Sequence, residues 1–90
     1  MKLIDIIQQL AKLDDNSTIY ARQPWTPWTD ARVALEGSEE EKKVRAEGLR
    51  YFLEVSVARE FLEDWRPTQE KPLTAEQCCE RLIEYATNDA

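Results

Sequence analysis

The segment from Leu49 to Trp65 decides what this chain can fold into. Leu49, Tyr51, Leu53 and Val55 alternate with Arg50, Phe52 and Glu54, a period-two pattern that suits a strand. Ser56 then stands where it can cap a helix whose apolar face is Val57, Ala58, Phe61, Leu62 and Trp65. The same residues also allow one long helix over 38–65, with Val44, Tyr51, Val55, Ala58, Leu62 and Trp65 as its stripe. That alternative puts Gly48 in mid-helix, at a cost of about 1 kcal/mol, and leaves Phe52 and Leu53 off the stripe. Strand followed by helix is the cheaper arrangement. It makes the fold α+β, with a small antiparallel sheet of about three strands and three or four helices packed on it, rather than mostly α.

The flanking segments fit that scheme. Leu3, Ile6, Ile7, Leu10 and Leu13 recur at helical spacing, so residues 2–13 read as an amphipathic helix, stopped by the turn-forming run Asp14-Asp15-Asn16-Ser17. Residues 18–22 and 31–36 are rich enough in β-branched and apolar residues to pair as a long-looped hairpin, with Val33 and Leu35 on one face. Ser38 with Glu41 forms a capping box for a short polar surface helix that ends near Gly48. Thr74 with Gln77 forms another for a last helix over 75–86. That helix buries either Cys78, Leu82 and Tyr85 or Ile83 and Ala86.

Ninety residues make a single domain with a modest core, which disfavours a deep catalytic cleft. A formal charge of −6 disfavours nucleic acid, since affinity for phosphate backbones comes from Lys and Arg displacing counterions. The start Met1-Lys2-Leu3-Ile4-Asp5 meets charge too early for a signal peptide, and no run is long enough to span a bilayer, so a cytoplasmic protein without membrane contact is expected. Cys78 and Cys79 are adjacent, which makes a disulfide between them strained, and they read as reduced helix-packing residues.

With no histidine, the usual triads and most zinc sites are excluded, and Gly37 and Gly48 stand too far apart to form a phosphate-binding loop. No catalytic residue, metal ligand or cofactor is expected. Two other features carry more weight. One is Gln23-Pro24-Trp25-Thr26-Pro27-Trp28-Thr29, which holds two of the three tryptophans on a proline-stiffened loop. Tryptophan is enriched among residues that dominate binding, and a stiff loop loses little entropy on docking. Polyproline-like geometry at three residues per turn brings Trp25 and Trp28 to one side, with one ring expected over the core and the other partly exposed. The other feature is the ladder Glu76, Glu80, Glu84 at i, i+4, i+8 on the last helix. It lies in a C-terminal half, residues 52–90, that carries nine acids against four bases. Ordinarily such a ladder is a solvated face; a basic partner would turn its self-repulsion into affinity.

Pro24-Trp25-Thr26, Gly48-Leu49-Arg50-Tyr51, Phe61-Leu62-Glu63 and the ending Tyr85-Ala86-Thr87-Asn88-Asp89-Ala90 together resemble a family of short acidic bacterial proteins with a PWT signature and a terminal Tyr-x-x-Asn-Asp-Ala motif. The resemblance spans most of the chain. It brings no assigned activity and no catalytic residues, and such families are often similar to immunity or accessory proteins. The expected function is therefore binding of another protein, in the manner of an immunity or inhibitor protein that neutralises a basic toxin or effector. Trp25 and Trp28 would be the anchors, with Glu76, Glu80 and Glu84 as the electrostatic guide. A structural or homo-oligomerising module, such as a homodimer that buries the tryptophans, is the alternative, and an enzyme ranks third.

Overall fold

A computed structural model describes residues 1–89. The elements run α1 (Leu3–Gln8), a 3-10 turn (Leu10–Lys12), β1 (Ser17–Ala21), β2 (Ala31–Leu35), α2 (Glu39–Ala46), β3 (Arg50–Glu54), α3 (Val55–Trp65), a second 3-10 turn (Arg66–Thr68) and α4 (Ala75–Asp89). The three strands form one antiparallel sheet in the order β2-β1-β3. This is the α+β arrangement, and the continuous helix over 38–65 is ruled out: Gly48, at φ +91°, ends α2 and turns the chain into β3.

The central strand β1 is buried along its whole length because the sheet is covered on both faces. On one face, Ile19, Ala21, Ala31, Phe52 and Leu53 meet the apolar sides of α1, α3 and α4 in the main core. On the other, Tyr20, Ala34, Val44 and Leu49 make a small second cluster under α2. The polar helix α2 thus lies on the surface yet turns its one buried residue, Val44, onto the sheet.

Three local expectations change. Strict alternation in β3 fails because the register against β1 slips between Ile19 and Tyr20: Ile19 faces Leu53, Tyr20 faces Tyr51, and Phe52 is the extra residue. Such a bulge lets neighbouring Phe52 and Leu53 both point into the main core, while Tyr51 goes to the opposite face and meets Tyr20 edge-on at 6.5 Å. Ser56 is not a cap. β3 runs directly into α3, with Glu54 in extended conformation at the N-cap and no side-chain capping bond. The first helix also stops early, at Gln8, and continues only as a 3-10 turn. Its late carbonyls at Leu10 and Leu13 accept from the Arg59 guanidinium of α3 at 2.7 Å each. At Leu13 a tertiary donor stands in for a helical one, while Leu10 C=O also keeps the Leu13 N–H at 3.3 Å.

The closing helix begins as expected. Thr74 N–H donates to Gln77 Oε1 at 2.9 Å, and Gln77 N–H donates to Thr74 Oγ1 at 3.1 Å. Ser38 likewise accepts from Glu41 N–H at 3.2 Å, but Glu41 reaches back to Gly37 N–H rather than to Ser38. The two patterns offered for the last helix merge, with Cys78, Cys79, Leu82 and Ala86 buried and Ile83 and Tyr85 on the flanks of that stripe. No helix among the described residues is long and apolar enough to cross a membrane.

Candidate functional site

The loop Arg22–Asp30 between β1 and β2 is held by hydrogen bonds at its base and along Thr26–Thr29. At its base, Arg22 N–H donates to Asp30 C=O at 2.9 Å and the Thr29 hydroxyl donates to Arg22 C=O. Its far side is tied down by α1. The first N–H groups of a helix have no partner within it, and here Leu3 and Ile4 donate theirs to Thr29 C=O and Pro27 C=O, both at 2.9 Å. Within the loop, Thr29 N–H bonds to Thr26 C=O at 3.2 Å, and Trp28 N–H bonds to Thr26 Oγ1 at 3.2 Å. The turn closed by these bonds breaks polyproline geometry between the two tryptophans. They point in different directions.

Trp25 turns inward. Its ring meets Phe52 edge-on at 5.0 Å, and its indole N–H donates to Ala21 C=O at 3.1 Å, so both its apolar and its polar parts are matched within the fold. With Gln23 and Pro24 it forms one wall of a shallow groove whose other wall is Ile83, Ala86 and Thr87 of α4. Trp28 turns outward and is 54% exposed. The expectation that both rings share one side is therefore corrected. One is fixed on the core and the other is presented to solvent.

Charge around Trp28 differs from that of the chain as a whole. Asp30 gathers three cations: Arg32 at 2.8 Å, the N-terminal ammonium at 3.5 Å and Arg22 at 4.0 Å. The hydrogen bond from Arg32, followed by the charges of Arg32 and the N-terminus, holds the Asp30 carboxyl below the usual carboxylate range despite some desolvation. Lys2 adds a further positive charge, donating to Trp28 C=O at 3.4 Å. At the base of the loop the cations Lys2, Arg22, Arg32 and the N-terminal ammonium thus outnumber Asp30 on an otherwise acidic protein.

Glu76, Glu80 and Glu84 lie exposed on α4, opposite its buried stripe of Cys78, Cys79, Leu82 and Ala86. Glu84 is paired with Arg81 at 3.2 Å. The same guanidinium lies over the Phe61 ring at 5.0 Å and the Trp65 ring at 6.0 Å, and Tyr85 packs on Phe61 at 4.7 Å. The ladder therefore borders a half-buried aromatic cluster between α3 and α4, not Trp28. Trp25 is the loop tryptophan that reaches α4, on the other flank. This cluster and the cations around Asp30 were missed in the sequence, although Phe61-Trp65 and Arg81-Tyr85, each at i, i+4, were its local signals.

Cys78 and Cys79 are free and buried. Burial, reinforced by the charges of Glu80, Cys78 and Glu76, pushes the Cys79 thiol up to about 12, which suppresses the thiolate that nucleophilic chemistry needs. Among the described residues, no three His, Cys, Asp or Glu side chains are placed to hold a metal ion. Comparison with protein-family models, curated proteins and solved structures gives no match. Ala90, the end of the motif that carries the family resemblance, lies outside the described residues.

Proposed function

We propose that this domain binds another protein, with Trp28 as the apolar anchor, and that it acts as an immunity or inhibitor protein does, by occupying its partner. The observation that carries this reading is the exposed Trp28 ring on a loop already immobilised by α1 and by its own turn. An indole in that setting offers a large contact area at little further entropic cost. Trp25 supports the loop from within and leaves the anchoring to Trp28. Lys2, on the Trp28 carbonyl, and Arg22 and Arg32, on Asp30 at the loop base, favour an acidic patch on the partner near the point of contact. Glu76, Glu80 and Glu84 provide the longer-range field that draws a basic toxin or effector. The test is calorimetric titration against the protein encoded beside this one in its genome. Wild type should bind, and Trp28→Ala should weaken the complex by about 2–4 kcal/mol, or about 30- to 1000-fold. Undiminished binding by Trp28→Ala would remove the anchor. The other reading open from the sequence is a homo-oligomer that buries the loop tryptophans in self-association.

A further inference from the structure

β2 is an edge strand, and part of its edge is open. Arg22 N–H bonds to Asp30 C=O, so 22 and 30 form a hydrogen-bonded pair. With Tyr20 opposite Arg32 and Thr18 opposite Ala34, the even-numbered residues of β2 bond to β1 while Ala31, Val33 and Leu35 direct their backbone groups outward. At one end Ala31 N–H is taken by Met1 C=O at 2.8 Å, and at the other Leu35 C=O accepts from Ser38 N–H at 3.2 Å. Between them, Val33 N–H, Val33 C=O and Leu35 N–H face away from the sheet. The usual guards of an edge, proline, lysine or a bulge, are absent from β2. On the core side, Leu35 is 49% exposed and Val33 half-buried, beside a small apolar recess formed with Met1, Ile6 and Leu13.

We propose that this edge pairs with the same edge of a second copy of the chain, antiparallel about a twofold axis at Ala34. The charges select that occupant and that register. With the axis at Ala34, Val33 faces Leu35 of the second copy and its C=O accepts from Leu35 N–H there, while Leu35 C=O stays with the N–H and hydroxyl of Ser38; Ala34 faces its own counterpart, and Arg32 faces Glu36 of the second copy. Twofold symmetry makes the Val33–Leu35 and Arg32–Glu36 contacts twice and the Ala34 contact on the axis once. Moving the axis by one residue either way puts Arg32 opposite Ala34 or Ser38 and loses the directly opposed ion pairs. Arg32 can serve both partners: one guanidinium nitrogen bonds Asp30 at 2.8 Å and Ala31 C=O at 2.9 Å, which leaves donors of its fork for a second carboxylate. Leu35, stranded in solvent in the monomer, is covered by Val33 and the recess of the other subunit. The interface shares Arg32 with the cations near Trp28 but leaves Trp28 itself free, so Glu36→Arg and Leu35→Lys test it apart from the binding function.

Sedimentation velocity over a concentration series up to millimolar tests the pairing, with circular dichroism verifying the fold of each variant. Wild type should shift toward twice the monomer mass. Arg32→Glu and Glu36→Arg, each alone, place like charges opposite one another and should weaken the dimer by about tenfold or more. Mixing the two variants restores both ion pairs and should restore dimers in the mixture. Should Arg32→Glu fail to fold through loss of the Asp30 pair, Glu36→Arg and Leu35→Lys, both at exposed positions, carry the test, and both should be monomeric where wild type is dimeric. A wild type that stays monomeric throughout overturns the proposal and leaves the edge to a strand from another protein. Dimers undiminished by Glu36→Arg and Leu35→Lys, or a mixture of charge variants that stays monomeric, overturn it as well.

Discussion

At the scale of single residues, identical side chains have been given different work by their backbone neighbours. Trp25 has its ring against Phe52 and its N–H on Ala21, so Trp25→Ala should cost about 3 kcal/mol of stability through the cavity and the orphaned carbonyl. Trp28→Ala, at an exposed ring, should cost less than about 1 kcal/mol. Thermal melts of the two variants distinguish them, and equal large losses would make the loop a lid on the core with no anchor to offer. Cys79 makes a second residue-scale prediction. Its thiol, held protonated by burial, has a folded-state value raised from 9.0 to about 12. A raised value contributes stability that is fully present below the unfolded value and is lost as pH rises toward the folded one. Urea midpoints should therefore fall between about pH 9 and pH 12, and Cys79→Ala, whatever its own cost, should flatten that fall.

At the scale of elements, the hydrophobic and capping patterns identify most segments, and the departures come from bonds between segments. The Thr74/Gln77 box and the strands β1 and β2 follow from their own residues. The early end of α1 depends on Arg59, forty-six residues beyond Leu13, and no window of sequence contains both. The bulge at Phe52 exists because two large adjacent side chains are both drawn into one core, an advantage that only packing confers. Gly48 separates α2 from β3 at φ +91°, and a β-carbon there would stand 3.2 Å from an Arg22 guanidinium nitrogen. Gly48→Ala should cost about 1–2 kcal/mol in denaturant unfolding. Gly37→Ala, at φ +82° with open space around it, pays for the backbone strain alone and should cost less. If Gly48→Ala raised stability instead, the left-handed break between α2 and β3 would not be needed.

At the scale of the whole molecule, the sheet divides the interior into a large core under α1, α3 and α4 and a small one under α2, and Arg59 is a polar tie on the large side. Its guanidinium joins α3 to Leu10, Leu13 and Asp15, while its Nε is buried without a partner. Arg59→Met keeps much of the packing but orphans the Leu13 carbonyl and removes one of the two donors to Leu10 C=O, and should destabilise by about 1–3 kcal/mol, with hydrogen exchange accelerating first in residues 9–16. Uniform acceleration would mean that the tie is not local to that segment. Legible in the sequence were the α+β class, a strand within 49–55 in place of a long helix, the Ser38 and Thr74 caps and the packed cysteines, because each rests on periodicity or on side chains within a few residues of one another. Only the closed fold settles that Trp25 goes in and Trp28 out, that Glu76, Glu80 and Glu84 lie away from Trp28, and that an acidic chain gathers cations on Asp30 at the base of the loop. Those outcomes depend on which distant groups answer the unpaired amides of α1 and the carboxylate of Asp30, and such pairings are fixed only when the chain closes on itself.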